Sequence, residues 1–172
     1  MNNKYLIYYP KSTVRDEWYD TLMTYANRTK IGIVSYLTPI IGNLSVSENI
    51  LVAAYYHHRT SYKEGRKMVE ADLKKYNMEH HIDSRSNHLN GYERFIVKYL
   101  QVKYLVPEWI VFLSSRSMYI AEYEYRIHEF LRCEDIDKSV IIEHESNRGL
   151  FSDMPEYEER DFNKWVTQDL RI

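Results

Sequence analysis

The sequence predicts an α/β fold built on a parallel sheet. Two observations carry this. The runs Tyr5-Leu-Ile-Tyr-Tyr9, Lys30-Ile-Gly-Ile-Val-Ser35, Ile110-Val-Phe-Leu113 and Ser139-Val-Ile-Ile-Glu-His144 are short and nearly continuously apolar, as strands buried on both faces require. Stretches with helical spacing of apolar residues separate them. At 172 residues the chain is long enough for one domain with a real core.

Composition excludes several classes. Net charge is −2, so no basic surface argues for nucleic-acid binding. Cys133 is the single cysteine, which rules out an internal disulfide and makes a reducing compartment the default. Met1 to Pro10 is too short and too tyrosine-rich for a secretory signal. No apolar run approaches the roughly 20 residues of a membrane span. The expected location is cytoplasmic, and any membrane contact would be peripheral, at the inner face, through a partner. Tyrosine is abundant, 17 residues against 5 glycines, which suits an interaction surface.

In chain order, the strand at Tyr5–Tyr9 is followed by Pro10-Lys-Ser-Thr13 and a helix from about Val14 to Ala26, with Val14, Trp18, Leu22 and Tyr25 on one face. Ser12 or Thr13 reads as its N-cap. The second strand leads into Asn43-Leu-Ser-Val-Ser-Glu-Asn-Ile50. There Ser45 or Ser47 is an N-cap, Glu48 lies in the first turn, and Ile50, Leu51 and Ala54 form the apolar face. His57-His58-Arg59 closes this helix with cationic side chains. Another helix runs from about Tyr62 to Tyr76. His80-His81 and His88 follow, but no His or Cys spacing supports zinc. Leu89-Asn-Gly-Tyr-Glu93 is a polar turn that opens a helix ending near Pro107. The strand at Trp109–Leu113, a helix from about Ile120 to Arg132 and the strand at Ser139–His144 complete the core. In the acidic tail, Phe162 and Trp165 suggest a short closing helix that offers a docking surface.

Several of these segments resemble the ABC-transporter ATPase family. The resemblance covers roughly Lys30 to Ser146. Leu89, Gly91, Glu93, Arg94, Val97 and Pro107 match the signature turn and its helix in place. Asn43-Leu-Ser-Val-Ser-Glu-Asn-Ile50 matches the segment after the family's Q-loop. The resemblance implies a P-loop-NTPase-like parallel sheet with an ABC-type helical subdomain, truncated. It would be one domain over residues 1–172, with the helical part at about 45–106 and a divergent tail at 145–172. The distance from Lys11 to Tyr36 is short for the family, and its usual early β-strands are missing.

Most of the family's chemical residues are replaced. A P-loop needs G-x-x-x-x-G-K-[ST] to wrap phosphates with backbone amides. Here Lys11-Ser12-Thr13 follows the first strand, yet no glycine precedes Gly32. Tyr36 stands where the Q-loop glutamine would sense magnesium. Asn90 replaces the signature serine, and Tyr92 replaces a glycine, where its side chain would crowd a phosphate. Ser114 and Ser115 stand where the metal-binding Asp and the catalytic Glu belong, and Ala121 stands at the D-loop aspartate. His144 matches the family's switch histidine, with Glu143 before it in place of threonine. Phosphoryl transfer depends on metal neutralising the developing charge, so the resemblance implies no catalysis, with ATP and magnesium binding lost or weak.

The implied role is a catalytically inactive subunit, structural or regulatory, in a transporter complex. Its partner would be an ABC membrane subunit or an active ATPase subunit, or a second copy in a homodimer. Leu44, Val46, Glu48 and Asn49 border the groove that in this family grips the membrane subunit. The alternative is a free-standing interaction or scaffold protein that reuses the fold. A hydrolase built from Ser114, Ser115, Glu143 and His144 lacks the G-x-S-x-G elbow.

Overall fold

The computed structural model describes residues 3–10, 15–26, 31–58, 61–114 and 124–170. Five strands form one sheet: β1 (Lys4–Tyr9), β2 (Ile31–Val34), β3 (Trp109–Leu113), β4 (Ser139–His144) and β5 (Glu158–Glu159). Their spatial order is β2-β3-β4-β1-β5, and every neighbouring pair is parallel. Lys4 pairs with Ser139 and Tyr9 with His144, so β1 and β4 end level. β3 pairs with β4 from Ile110↔Ser139 to Leu113↔Ile142. The parallel sheet expected from the continuous apolar runs is therefore present.

Each face of the sheet has its own core, because successive side chains along a strand point to opposite faces. Tyr5, Ile7 and Tyr9 join Val111, Val140 and Ile142 on one face. There α1 (Arg15–Ala26) and the C-terminal turns pack through Leu22 and Trp165. On the other face Leu6, Phe112 and Ile141 meet four helices. These are α2 (Val46–His58), α3 (Tyr62–Lys75), α4 (Gly91–Lys103) and α5 (Glu124–Cys133). Phe95 and Tyr99 of α4 lie edge-on to Phe130 of α5, and both tilt or stack against Phe112 of β3.

The helix starts follow from local sequence. Three reciprocal caps recur at i and i+3. Ser45 and Glu48 exchange side-chain and backbone hydrogen bonds at 2.7 and 3.2 Å. Ser61 pairs with Glu64 and Asn90 with Glu93 in the same way. Each satisfies two amide groups that a helix start leaves without partners. Helix α2 also rests on the segment before α4, since Val46 and Ser47 donate to the carbonyls of Ser84 and Ile82.

Two expectations are corrected. The tail adds a fifth strand beside β1, which pairs Tyr5 and Leu6 with Glu158 and Glu159. Phe162 and Trp165 do not form an external docking surface. They lie on α6 (Phe162–Lys164) and the π-type turn Trp165–Asp169 that follows it. Trp165 is 0 % exposed and packs edge-on against Trp109, while Phe162 packs against Trp18. Burying two large rings outweighs leaving them to a partner. Part of the tyrosine content serves the core, while Tyr36, Tyr55, Tyr62 and Tyr125 are exposed. Tyr5, Tyr9, Tyr92, Tyr99, Tyr104 and Tyr157 are buried, most with a polar partner for the hydroxyl or a cation over the ring.

Candidate functional site

In an open parallel sheet, ligands gather at the carboxyl ends of the strands. Here those ends are Tyr9, Val34, Leu113 and His144, followed by Pro10, Ser35, Ser114 and Glu145. The Tyr9 hydroxyl lies 2.8 Å from Oγ of Ser114, in a buried contact. Ser114 itself has φ 49°, a left-handed conformation uncommon for serine, and its N–H donates to the Ile142 carbonyl at 2.7 Å. The Tyr9 ring tilts against Trp18 and lies edge-on to His144. Aromatic side chains and one hydroxyl pair thus occupy the space between the ends of β1, β4 and β3.

His144 and Glu143 serve the backbone around them. The His144 ring accepts from the Ser146 N–H at 3.2 Å and lies 2.7 Å from its hydroxyl. It caps the 3-10 turn Glu145–Phe151. The buried Glu143 carboxylate accepts from the His144 N–H and from the Asn147 amide. Lys11, Ser12, Thr13, Ser115 and Ala121 lie outside the described residues.

At the signature turn, Asn90 and Glu93 are committed to capping α4. Glu93 also lies 3.4 Å from Nε2 of His81. Gly91 is the first residue of the helix. Tyr92 does not project over the turn as expected. Its ring is buried beside Phe95, with the Arg126 guanidinium 4.0 Å from its centroid. The apolar face of the helix claims the ring, because position 92 lies one turn before Phe95 and Ile96.

The residues expected to border a partner groove divide. Glu48 is exposed and Leu44 half-buried, but Val46 and Asn49 are buried. Asn49 organises the loop before α2. Its side chain accepts from the Ile41 N–H at 2.7 Å and donates toward the carbonyls of Ile41, Leu44 and Ser45. The Glu48 carboxyl is held below its ordinary range by the backbone hydrogen bond from Ser45 and then by the Ser45 hydroxyl.

Tyr36 borders a cleft of about 420 Å³ between the loop after β2 and helix α4. Its wall also carries Pro39, Asn87, Arg94, Phe95 and Lys98. Lys98 was not singled out from the sequence. It donates to the carbonyls of Ser35, Tyr36 and Thr38 at 2.9, 2.8 and 2.6 Å. One ammonium therefore uses its three donors on one loop. Burial pushes its pKa down to about 8, and nearby Arg94 adds to the shift. The available signal was one lysine inside Phe95-Ile-Val-Lys-Tyr-Leu100, an otherwise apolar and aromatic run. Among the described residues no group of three metal-ligating side chains is assembled, and no helix is long and apolar enough to cross a membrane.

No protein-family model matches the chain, and no curated protein matches it in sequence. Solved structures do match. One is the dimeric structure of MJ0796, described as a bacterial ABC transporter cassette. It aligns with a TM-score of 0.66 at 17% identity, covering 94% of this chain and 82% of that one. The ATP-binding cassette MJ0796 in a post-hydrolysis state bound to ADP and Pi aligns at 0.63 and 18%, covering 86% and 77%. The chain has the fold of an ABC transporter ATPase cassette.

Proposed function

We propose that this protein is a catalytically inactive relative of the ABC ATPase cassettes, with a structural or regulatory role in a transporter complex. The observation that carries the reading is the hydroxyl pair of Tyr9 and Ser114 at the ends of β1 and β3. Ser114 follows β3 where the resemblance calls for a metal-binding carboxylate. A neutral hydroxyl bonded to a phenol is a poor magnesium ligand, because magnesium sites rest on carboxylate and phosphate oxygens. ATP and magnesium are accordingly not cofactors in this reading.

What remains is a folded cassette with its helical layer intact. Its partner is a membrane subunit or an active ATPase subunit, and pairing with a second copy is the remaining form. The two solved cassettes are dimeric, which supports looking for a paired assembly. Such a complex places the chain in the cytoplasm at the inner membrane face, held there by protein contact. The free-standing scaffold reading draws less support, because six of the tyrosines that suggested it lie in the core.

Affinity purification of the tagged protein from its native cell in mild detergent, followed by mass spectrometry, tests the role. Co-purifying ABC membrane subunits or an intact ATPase are expected. Recovery with only soluble, unrelated proteins would transfer support to the scaffold reading.

A further inference from the structure

We propose that the cleft between helix α1, the end of β1 and helix α6 binds a small primary alkylamine in its ammonium form. The site is independent of the transporter reading.

Charge is the first argument. The cleft encloses about 480 Å³ and carries Glu17 and Asp161, and among the described residues no lysine or arginine lines it. Neither carboxylate is ion-paired among the described residues. The arginines of the neighbouring segments are engaged elsewhere: Arg148 on Glu159 and over the Tyr8 ring, Arg160 on Asp169 and Gln168. A cleft walled by protein focuses the field of two carboxylates and concentrates cations. The same field repels phosphate and carboxylate ligands.

The acceptors narrow the cation. Asp161 receives the Lys164 backbone N–H on Oδ1 at 3.1 Å, which leaves Oδ2 for a guest. Glu17 uses its backbone carbonyl, on the Thr21 hydroxyl at 2.8 Å, and keeps its carboxylate. Thr21 gives its one hydroxyl hydrogen to that bond and retains lone pairs. Glu17, Thr21 and Asp161 all line the cleft, and a primary ammonium has three N–H donors to place on them. A quaternary ammonium has none. A bare metal ion is disfavoured, since no group of three metal-ligating side chains is assembled among the described residues.

The rings shape the rest of the guest. Trp18 and Phe162 line the same cleft and are half-buried. Their centroids are 4.7 Å apart and their planes stand at 82°, which makes a corner rather than a parallel slot. A flat base stacks on parallel faces, whereas a corner covers an alkyl chain on two sides. Aromatic faces also attract the cation itself. The volume falls within the roughly 300–1,000 Å³ of small-molecule sites, enough to hold a whole short amine.

Isothermal titration calorimetry of 1-aminopentane into the full chain tests the site. Saturable binding at one equivalent is expected. Glu17→Gln should weaken it about tenfold, the scale of a lost charged hydrogen bond. Asp161→Asn should do the same while keeping an oxygen on the Lys164 N–H, since asparagine also caps a helix. Asp20→Asn removes an α1 charge outside the cleft and should leave binding unchanged. Neither 1-pentanol nor pentyltrimethylammonium should match the amine. An absence of saturable binding, equal binding of the alcohol, tighter binding of the quaternary ion, or indifference to both cleft variants would overturn the proposal. Equal weakening by Asp20→Asn would overturn it too, reducing the effect to general surface charge. Tighter binding of Nα-acetyl-lysine amide would replace the free amine by a lysine of a protein and likewise overturn it.

Discussion

The Tyr9 hydroxyl and Ser114 Oγ, 2.8 Å apart, tie the end of β1 to the end of β3 across β4. Tyr9→Phe keeps the ring against Trp18 and His144 and removes only the hydroxyl. It should cost about 1 kcal/mol in urea unfolding, the scale of one buried hydrogen bond. A variant as stable as wild type would mean that the ring contacts, not the hydroxyl pair, hold the two strand ends together.

Asn49 makes four contacts to the loop it follows. Asn49→Ala removes these partners from half-buried and exposed backbone groups of that loop and should cost about 1–2 kcal/mol. Hydrogen exchange should quicken over residues 41–45, with the sheet unchanged. Uniform quickening across the chain would mean that Asn49 supports the whole core rather than its loop.

Gly32 marks where β2 is pressed by the layer above it. A Cβ added there would lie 2.3 Å from Cγ1 of Val102 and 3.0 Å from Cγ of Pro107. The strand or α4 must then move. Gly32→Ala should destabilise by about 2–3 kcal/mol, as overpacking does. A neutral effect in thermal unfolding would mean that the contact between β2 and the end of α4 is loose.

Lys98 predicts a pH dependence with a definite sign. Its folded pKa is near 8, against about 10.4 in an unfolded chain. Between those values the unfolded state binds more protons, so the stability Lys98 contributes rises with pH. Below about pH 8 both states are protonated and the cost of burying the charge is fully present. The stability of wild type minus that of Lys98→Met should therefore grow from about pH 8 to pH 10. A difference that is flat or falling would mean that the three carbonyls compensate the burial.

Much of the fold was legible because its signals are local. The apolar runs at 110–113 and 139–144 name their strands, and Ser or Asn followed by Glu three residues later names the start of α2, α3 and α4. Strand β5 was missed because it is two exposed glutamates held by backbone pairing to Tyr5 and Leu6, with no apolar pattern. Trp165 was misplaced because only the folded chain puts it against Trp109. The candidate site was less legible for a similar reason. Ser114 was evident as a departure from a family pattern. Its partner Tyr9 lies 105 residues away, and the carbonyls that hold Lys98 lie 60 to 63 residues away.

In the proposed reading this chain is a cassette fold without cassette chemistry. It is tested most directly by phosphate release from ATP and magnesium by the purified full chain, with binding of a fluorescent ATP analogue followed alongside. No release above a protein-free control and no saturable binding are expected. Multiple turnovers that co-elute with the protein would contradict it.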